Sequence, residues 1–141
     1  MPTIEDAIAL AVEAHRGQRD KAGQPYILHP LRVMFRLETD EERIVGVLHD
    51  VVEDSETSLD DLRQMGYSEQ VVKALDHLTR RADETYEQFV KRTASHPLAR
   101  RIKLADLEDN MDIRRYPSLN DKIIESLKRY HQAWRRLKGL E

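Results

Sequence analysis

Apolar residues recur along almost the whole chain at intervals of three and four, the period of a helix with one buried face. Ile4, Ala7, Ile8, Ala11 and Val12 predict a first helix, capped by Thr3 with Asp6 in its first turn and closed by Gly17. From Gly17 to His29 the chain carries Gly23 and Pro25 and reads as a loop. Pro30 suits the first turn of a second helix holding Leu31, Val33, Met34 and Leu37. Asp40 starts a third, in which Ile44, Val45, Val47, Leu48, Val51 and Val52 are apolar on more than one side. A helix of that kind is expected to be central and buried.

The pattern continues with a short helix between Thr57 and Gly66, and one capped by Ser68 that uses Val71, Val72, Leu75 and Leu78. Another is marked by Tyr86, Phe89 and Val90 and stops before Pro97. Ile102, Leu104, Ala105 and Met111 lie in the next, which is expected to end before Tyr116-Pro117. Ser118 is the expected cap of a final helix with Ile123, Ile124, Leu127, Tyr130, Trp134 and Leu137. The β-branched run from Ile44 to Val52 also fits a buried strand, but no partner strand is visible, and a lone strand leaves its backbone groups unpaired. The fold class expected is all-α, with residues 1–141 forming one helical domain.

Composition narrows the function. A chain of 141 residues can bury a real core. A net charge of −3 gives no overall basic field for gripping nucleic acid. The absence of cysteine removes disulfides, thiolate metal sites and thiol nucleophiles together. The N-terminus lacks the parts of a signal peptide, and no apolar run approaches the roughly 20 residues that span a bilayer. The expectation is a cytoplasmic protein with no membrane or nucleic-acid partner.

The chemistry gathers in two distant stretches, His49-Asp50-Val51-Val52-Glu53-Asp54 and Lys103 to Asn110, with His29 ahead of Pro30. His29, His49, Asp50 and Asp106 supply two imidazoles and two carboxylates, a donor set suited to a first-row divalent ion such as Mn, Fe, Co or Zn. On a continuous helix His49 and Asp50 point about 100° apart, so both reach an ion lying in the groove between them. Glu53 and Asp54 follow on the same side of that helix and provide carboxylates to orient or deprotonate water. Acidic residues at a helix C-terminus oppose its dipole, which favours a chemical role over capping. Asn110, four residues after Asp106, faces the same pocket and can both donate and accept hydrogen bonds. His15 reads as a core histidine, and His77, His96 and His131 as surface residues. Arg100-Arg101 and Arg114-Arg115 are either solvated faces or a phosphate-attracting rim.

These blocks resemble the HD superfamily of metal-dependent phosphohydrolases. More narrowly, they resemble the hydrolase domain of Rel/SpoT-type stringent-response enzymes and the stand-alone small alarmone hydrolases. The matching segments are Ala14-His15-Arg16-Gly17-Gln18, Gly23 to Pro30, Leu48 to Asp54, and Ile102 to Asp106 continuing through Asn110-Met111. The resemblance implies His29, His49, Asp50 and Asp106 as metal ligands, usually for Mn2+. It implies Glu53 and Asp54 as the catalytic pair that activates water. It also implies substrate-binding roles for Asn110, Lys21 and Arg80, with Arg19 beside them. The implied reaction removes pyrophosphate from the 3′ position of guanosine tetra- and pentaphosphate. The chain is too short for the synthetase and regulatory domains of the long enzymes.

Two recognition positions depart from the family pattern. An Arg-Lys pair before the Gly-x-Pro-Tyr-Ile segment is here Asp20-Lys21, with Arg19 one place early, and the usual Arg-Thr after Asn110-Met111 is Asp112-Ile113. A carboxylate cannot stack or donate as a guanidinium does. Three readings therefore stand. The first is an alarmone hydrolase; the second is an HD phosphohydrolase for another nucleotide, such as NADPH or an adenosine alarmone. The third is an inactive nucleotide-binding module. The C-terminal face carrying Tyr130 and Trp134 is expected to pack internally and is also the surface through which a homo-oligomer could form.

Overall fold

The computed structural model describes residues 1–140. Helices follow one another as α1 (Ile4–His15), α2 (Leu28–Phe35), α3 (Asp40–Leu48), α4 (Val51–Asp54), α5 (Leu59–Gln64) and α6 (Glu69–His77). Then come α7 (Tyr86–Ala94), α8 (Pro97–Asn110), a 3-10 turn at Ile113–Arg115, and α9 (Asp121–Leu137). Among the described residues there is no strand, only one isolated bridge between Arg19 and Pro25. The all-α expectation holds.

Helix starts are written locally. Thr3 accepts the Asp6 N–H at 3.1 Å while the Asp6 carboxylate accepts the Thr3 N–H at 2.9 Å. The same reciprocal box recurs at Thr39/Glu42, Ser58/Asp61 and Thr85/Gln88. Each box satisfies two N–H groups that the first helical turn leaves without a partner. Gly17 takes φ +83° just past α1, where a left-handed residue turns the chain into the Gly17–Ile27 loop.

α3 is the central helix and packs on α1, α2, α6 and α8. Val45, Val47, Leu48 and Val51 are completely buried, as the two-sided apolar pattern required. Gly46 lets the end of α2 and the residues after it close onto α3: a Cβ there would meet Leu37 Cδ1 at 2.6 Å and Met34 Cα at 3.6 Å. A smaller cluster of Val90, Leu107, Ala133 and Leu137, with Tyr130 and Trp134 against it, fastens α7, α8 and α9 together. Tyr130 and Trp134 are thus packing residues, as expected, and the Trp134 indole N–H donates to Glu108 at 3.0 Å.

Three boundaries differ from expectation. The run from Asp40 to Val52 is not one helix: it ends at Leu48 and restarts at Val51. Asn120, not Ser118, caps α9, its side chain accepting the Ile123 N–H at 2.9 Å. Both residue types cap well, so residue type alone does not choose between the two starts. His29 lies inside the first turn of α2 rather than before it.

Candidate metal centre

The break in α3 builds the centre. His49 closes α3, and Asp50, at φ −107° and ψ 2°, sits in the sparsely populated bridge region before α4. Adjacent side chains that a continuous helix would splay apart are turned together, and His49 Nε2 lies 3.0 Å from Asp50 Oδ2. α2 and α8 close the other side. His29 Nε2 is 2.8 Å from Asp106 Oδ1, and His49 Nε2 is 3.3 Å from the same oxygen. One ligand atom from each of His29, His49, Asp50 and Asp106 falls within 4.8 Å of all the others. The contacts of 2.8, 3.0 and 3.3 Å resemble the ~3 Å between neighbouring donors around an ion with bonds of ~2.1 Å. The donor set and its spacing therefore fit a divalent cation.

Each of the four is also held by a hydrogen bond from outside the set. His29 Nδ1 donates to Asp109 Oδ2 at 2.6 Å, and His49 Nδ1 donates to the Gly46 carbonyl at 2.6 Å. The Tyr26 hydroxyl donates to Asp50. Lys103 Nζ holds Asp106 Oδ2 at 2.8 Å, leaving Oδ1 toward the imidazoles, and Asn110 Nδ2 donates to Oδ1 at 3.1 Å. Burial opposes the charge on Asp106, but the Lys103 ammonium and the hydrogen bonds from both histidines hold its carboxyl well below the usual range. Burial likewise opposes Asp50, and the neighbouring His49 outweighs it, so this carboxyl too is lowered. His49 and His29 are buried, which disfavours their protonation; the facing carboxylates overcome this and raise both.

Glu53 and Asp54 stand at the mouth, where both reach solvent. Partial burial, then the charges of Asp50 and Glu53, push Asp54 up to about 6. Partial burial also raises Glu53, against the pull of the Arg80 N–H that its Oε1 accepts at 2.9 Å. Gln18 anchors this short helix to α1: its Nε2 donates to the Asp54 carbonyl at 2.9 Å, and its Oε1 takes the His15 Nδ1 proton at 2.9 Å. His15 is buried, as expected of a core histidine.

Beside His29 opens a cavity of about 220 Å³ lined by Arg19, Lys21, Tyr26, Asn110, Arg115 and Tyr130, among others. Lys21, nominated for substrate, bonds Ser126 Oγ at 3.0 Å and the Tyr130 hydroxyl at 2.9 Å on α9. Arg19 lines the same cavity, with its guanidinium on the Gly23 carbonyl at 2.9 Å. Arg80 meets Glu53 through its backbone only, while its side chain turns to the Glu84 carbonyl at 3.1 Å. Asp20 is not a free charge facing the cavity. Its Oδ1 accepts the Ala22 and Gln24 N–H groups at 2.9 Å each, and its Oδ2 pairs with Arg115 at 3.0 Å. The guanidinium absent from position 20 thus enters the cavity from residue 115. Asp112 is taken up by Arg114 at 2.9 Å. Of the paired arginines, Arg115 lines the cavity, whereas Arg101 pairs with Glu42 and Arg100 with the Ala94 carbonyl.

Asp109, Lys103 and Tyr26 escaped the sequence reading. Asp109 carried one usable signal, its place three residues after Asp106 on the same helical face. Tyr26 lies in the Gly23–Pro30 segment, where nothing local pairs its hydroxyl with Asp50.

Comparison with known proteins places the fold. A family model described as HD domain matches residues 7–111. A guanosine-3′,5′-bis(diphosphate) 3′-pyrophosphohydrolase of Aquifex aeolicus (strain VF5) is 32% identical over 120 residues, covering 77% of this chain and 17% of that protein. A GTP pyrophosphokinase of Streptomyces coelicolor is 38% identical over 126 residues, covering 80% of this chain and 15% of its own length. The chain therefore spans less than a fifth of either relative. A solved structure described as a metazoan ortholog of SpoT that hydrolyzes ppGpp superposes with a TM-score of 0.80 at 22% identity. That match covers 100% of this chain and 89% of the other. No helix among the described residues is long and apolar enough to cross a membrane.

Proposed function

This chain belongs to the HD-domain family, and from that premise we propose that it is a metal-dependent phosphohydrolase that removes pyrophosphate from the 3′ position of guanosine 3′,5′-bis(diphosphate). The observation that carries the reading is the convergence of His29, His49, Asp50 and Asp106, brought from three separate segments to within 4.8 Å. The named activities of the Aquifex relative and the SpoT ortholog support the choice of substrate.

His29, His49, Asp50 and Asp106 would hold the ion, and Mn2+ is the one proposed. A divalent ion supplies Lewis acidity toward a phosphoryl oxygen and lowers the pKa of water. The protein does the rest. Asp54, whose carboxyl is raised by partial burial and by the neighbouring carboxylates, is placed to accept a proton from water, with Glu53 beside it. The water oxygen bonds to the 3′ phosphorus as the bond from phosphorus to the ribose oxygen breaks; the proton taken from water passes on to that oxygen, giving the 3′ hydroxyl, and pyrophosphate carrying the water oxygen is released. Lys21, Arg19 and Arg115, around the adjoining cavity, offset the charge of the substrate's remaining phosphates. Asn110 orients the nucleoside beside them.

A second reading keeps the chemistry and changes the nucleotide to an adenosine alarmone or NADPH. It is motivated by Asp20 and Asp112, the two recognition positions at which the chain departs from the family pattern. The test is chelator-stripped protein resupplied with Mn2+ and offered guanosine, adenosine and NADPH substrates in parallel. Metal-dependent pyrophosphate release from the guanosine compound is expected. Phosphate release from NADPH alone would overturn the substrate assignment, and inertness toward all would overturn the enzymatic reading.

A further inference from the structure

Asp109 is 1% exposed and lies in the Lys103–Asn110 stretch without being one of the nominated ligands. A buried carboxylate is costly to keep charged and is retained where donors surround it. Here Oδ2 accepts His29 Nδ1–H at 2.6 Å and Arg115 Nη1 at 3.0 Å, while Oδ1 accepts Arg32 Nε at 2.8 Å. Because an ionised carboxylate only accepts, His29 carries a proton on Nδ1 toward Asp109, and Nε2, which donates to Asp106 here, is the nitrogen a cation among Asp106, His49 and Asp50 would take over from its proton. The arginine side of this hub is the less finished one: Arg32 Nη2 is buried without a partner among the described residues. A carboxylate placed only to bind arginine would be expected to take two nitrogens of one fork, whereas Asp109 takes a single nitrogen from Arg32.

We propose that Asp109 is a positioning residue, fixing His29 in the tautomer and ring orientation that present Nε2 to a divalent cation and, through the same oxygen, aligning Arg115 in the adjoining cavity. The inference rests on His29 being a metal ligand. It gives one carboxylate two tasks, since Arg115 also grips Asp20 from across the cavity. Removing such a partner from a ligating histidine lowers metal affinity ~10–100-fold.

The rival is a purely structural hub tying α2 to α8 and the 3-10 turn, and two measurements separate them. In wild-type protein loaded with Zn2+ as a diamagnetic probe, long-range proton–nitrogen NMR should find His29 metallated at Nε2 and protonated at Nδ1. Competition with a chromogenic chelator should then give Asp109→Asn a Zn2+ dissociation constant ~10–100-fold above wild type. Arg32→Gln, which removes an Asp109 partner without touching His29, should stay within about threefold while losing thermal stability. Metallation of His29 through Nδ1 would overturn the proposal even if Asp109→Asn fails to fold. Equal losses of affinity in both variants, or none in folded Asp109→Asn, would overturn it as well. Failure of wild type to bind Zn2+ at all would instead remove the metal reading on which the inference rests.

Discussion

Replacing Asp54 by Asn should stabilise the chelator-stripped protein at pH 7 while removing a proton acceptor. Among the described residues no hydrogen bond reaches the Asp54 carboxylate, so the substitution breaks none. Its pKa is raised from an ordinary 3.8 to about 6 by partial burial and then by the charges of Asp50 and Glu53. A shift of ~2 units corresponds to at most ~3 kcal/mol of unfavourable free energy in the ionised state. The side chain reaches solvent, and screening reduces that to about 1 kcal/mol. The sign follows from linkage. With the folded-state value above the unfolded one, the native protein holds the proton more tightly, and wild-type stability falls as pH rises from about 4 to about 6. Asp54→Asn escapes that loss, so its advantage should be near zero at pH 4 and complete by pH 7. Thermal melts of both proteins across that range should separate by roughly 2–5 °C at pH 7. An Asn variant no more stable than wild type at pH 7, or a gap that ignores pH, would refute this electrostatic account.

Glu53→Gln keeps an oxygen for the Arg80 N–H and leaves the four ligands alone; it should bind metal normally yet turn over about 100-fold more slowly or worse, as steady-state assays would register. Tyr26→Phe keeps the ring that packs 4.8 Å from His15 and removes the donor to Asp50, so chelator competition should find metal affinity down roughly tenfold. Leu48→Ala opens a cavity in the core at the C-terminal end of α3, where the side chain is fully buried, and urea denaturation should report a loss of about 3 kcal/mol.

The helical period and the capping residues made the architecture legible, because helices and their first turns are local events. What failed were local choices decided by distant partners. The end of α3 at Leu48 is invisible in a run of β-branched and apolar residues; nothing in Val47-Leu48-His49-Asp50-Val51 marks a stop. That break brings His49 against Asp50, so the nominated pair converges by a backbone turn rather than across a helical groove. Asp109 and His29 are 80 residues apart and Tyr26 and Asp50 are 24 apart, so their hydrogen bonds exist only once the bundle has closed. Asp20 looked like a lost arginine because its partner, Arg115, lies 95 residues away.

Four side chains sharing one cation define the proposed centre, and titration calorimetry with Mn2+ on stripped protein tests that directly. Wild type should bind one ion per chain, and Asp106→Asn, unchanged in helical circular dichroism, should bind at least 100-fold more weakly. Equal binding by the two proteins, or none by wild type, would contradict it.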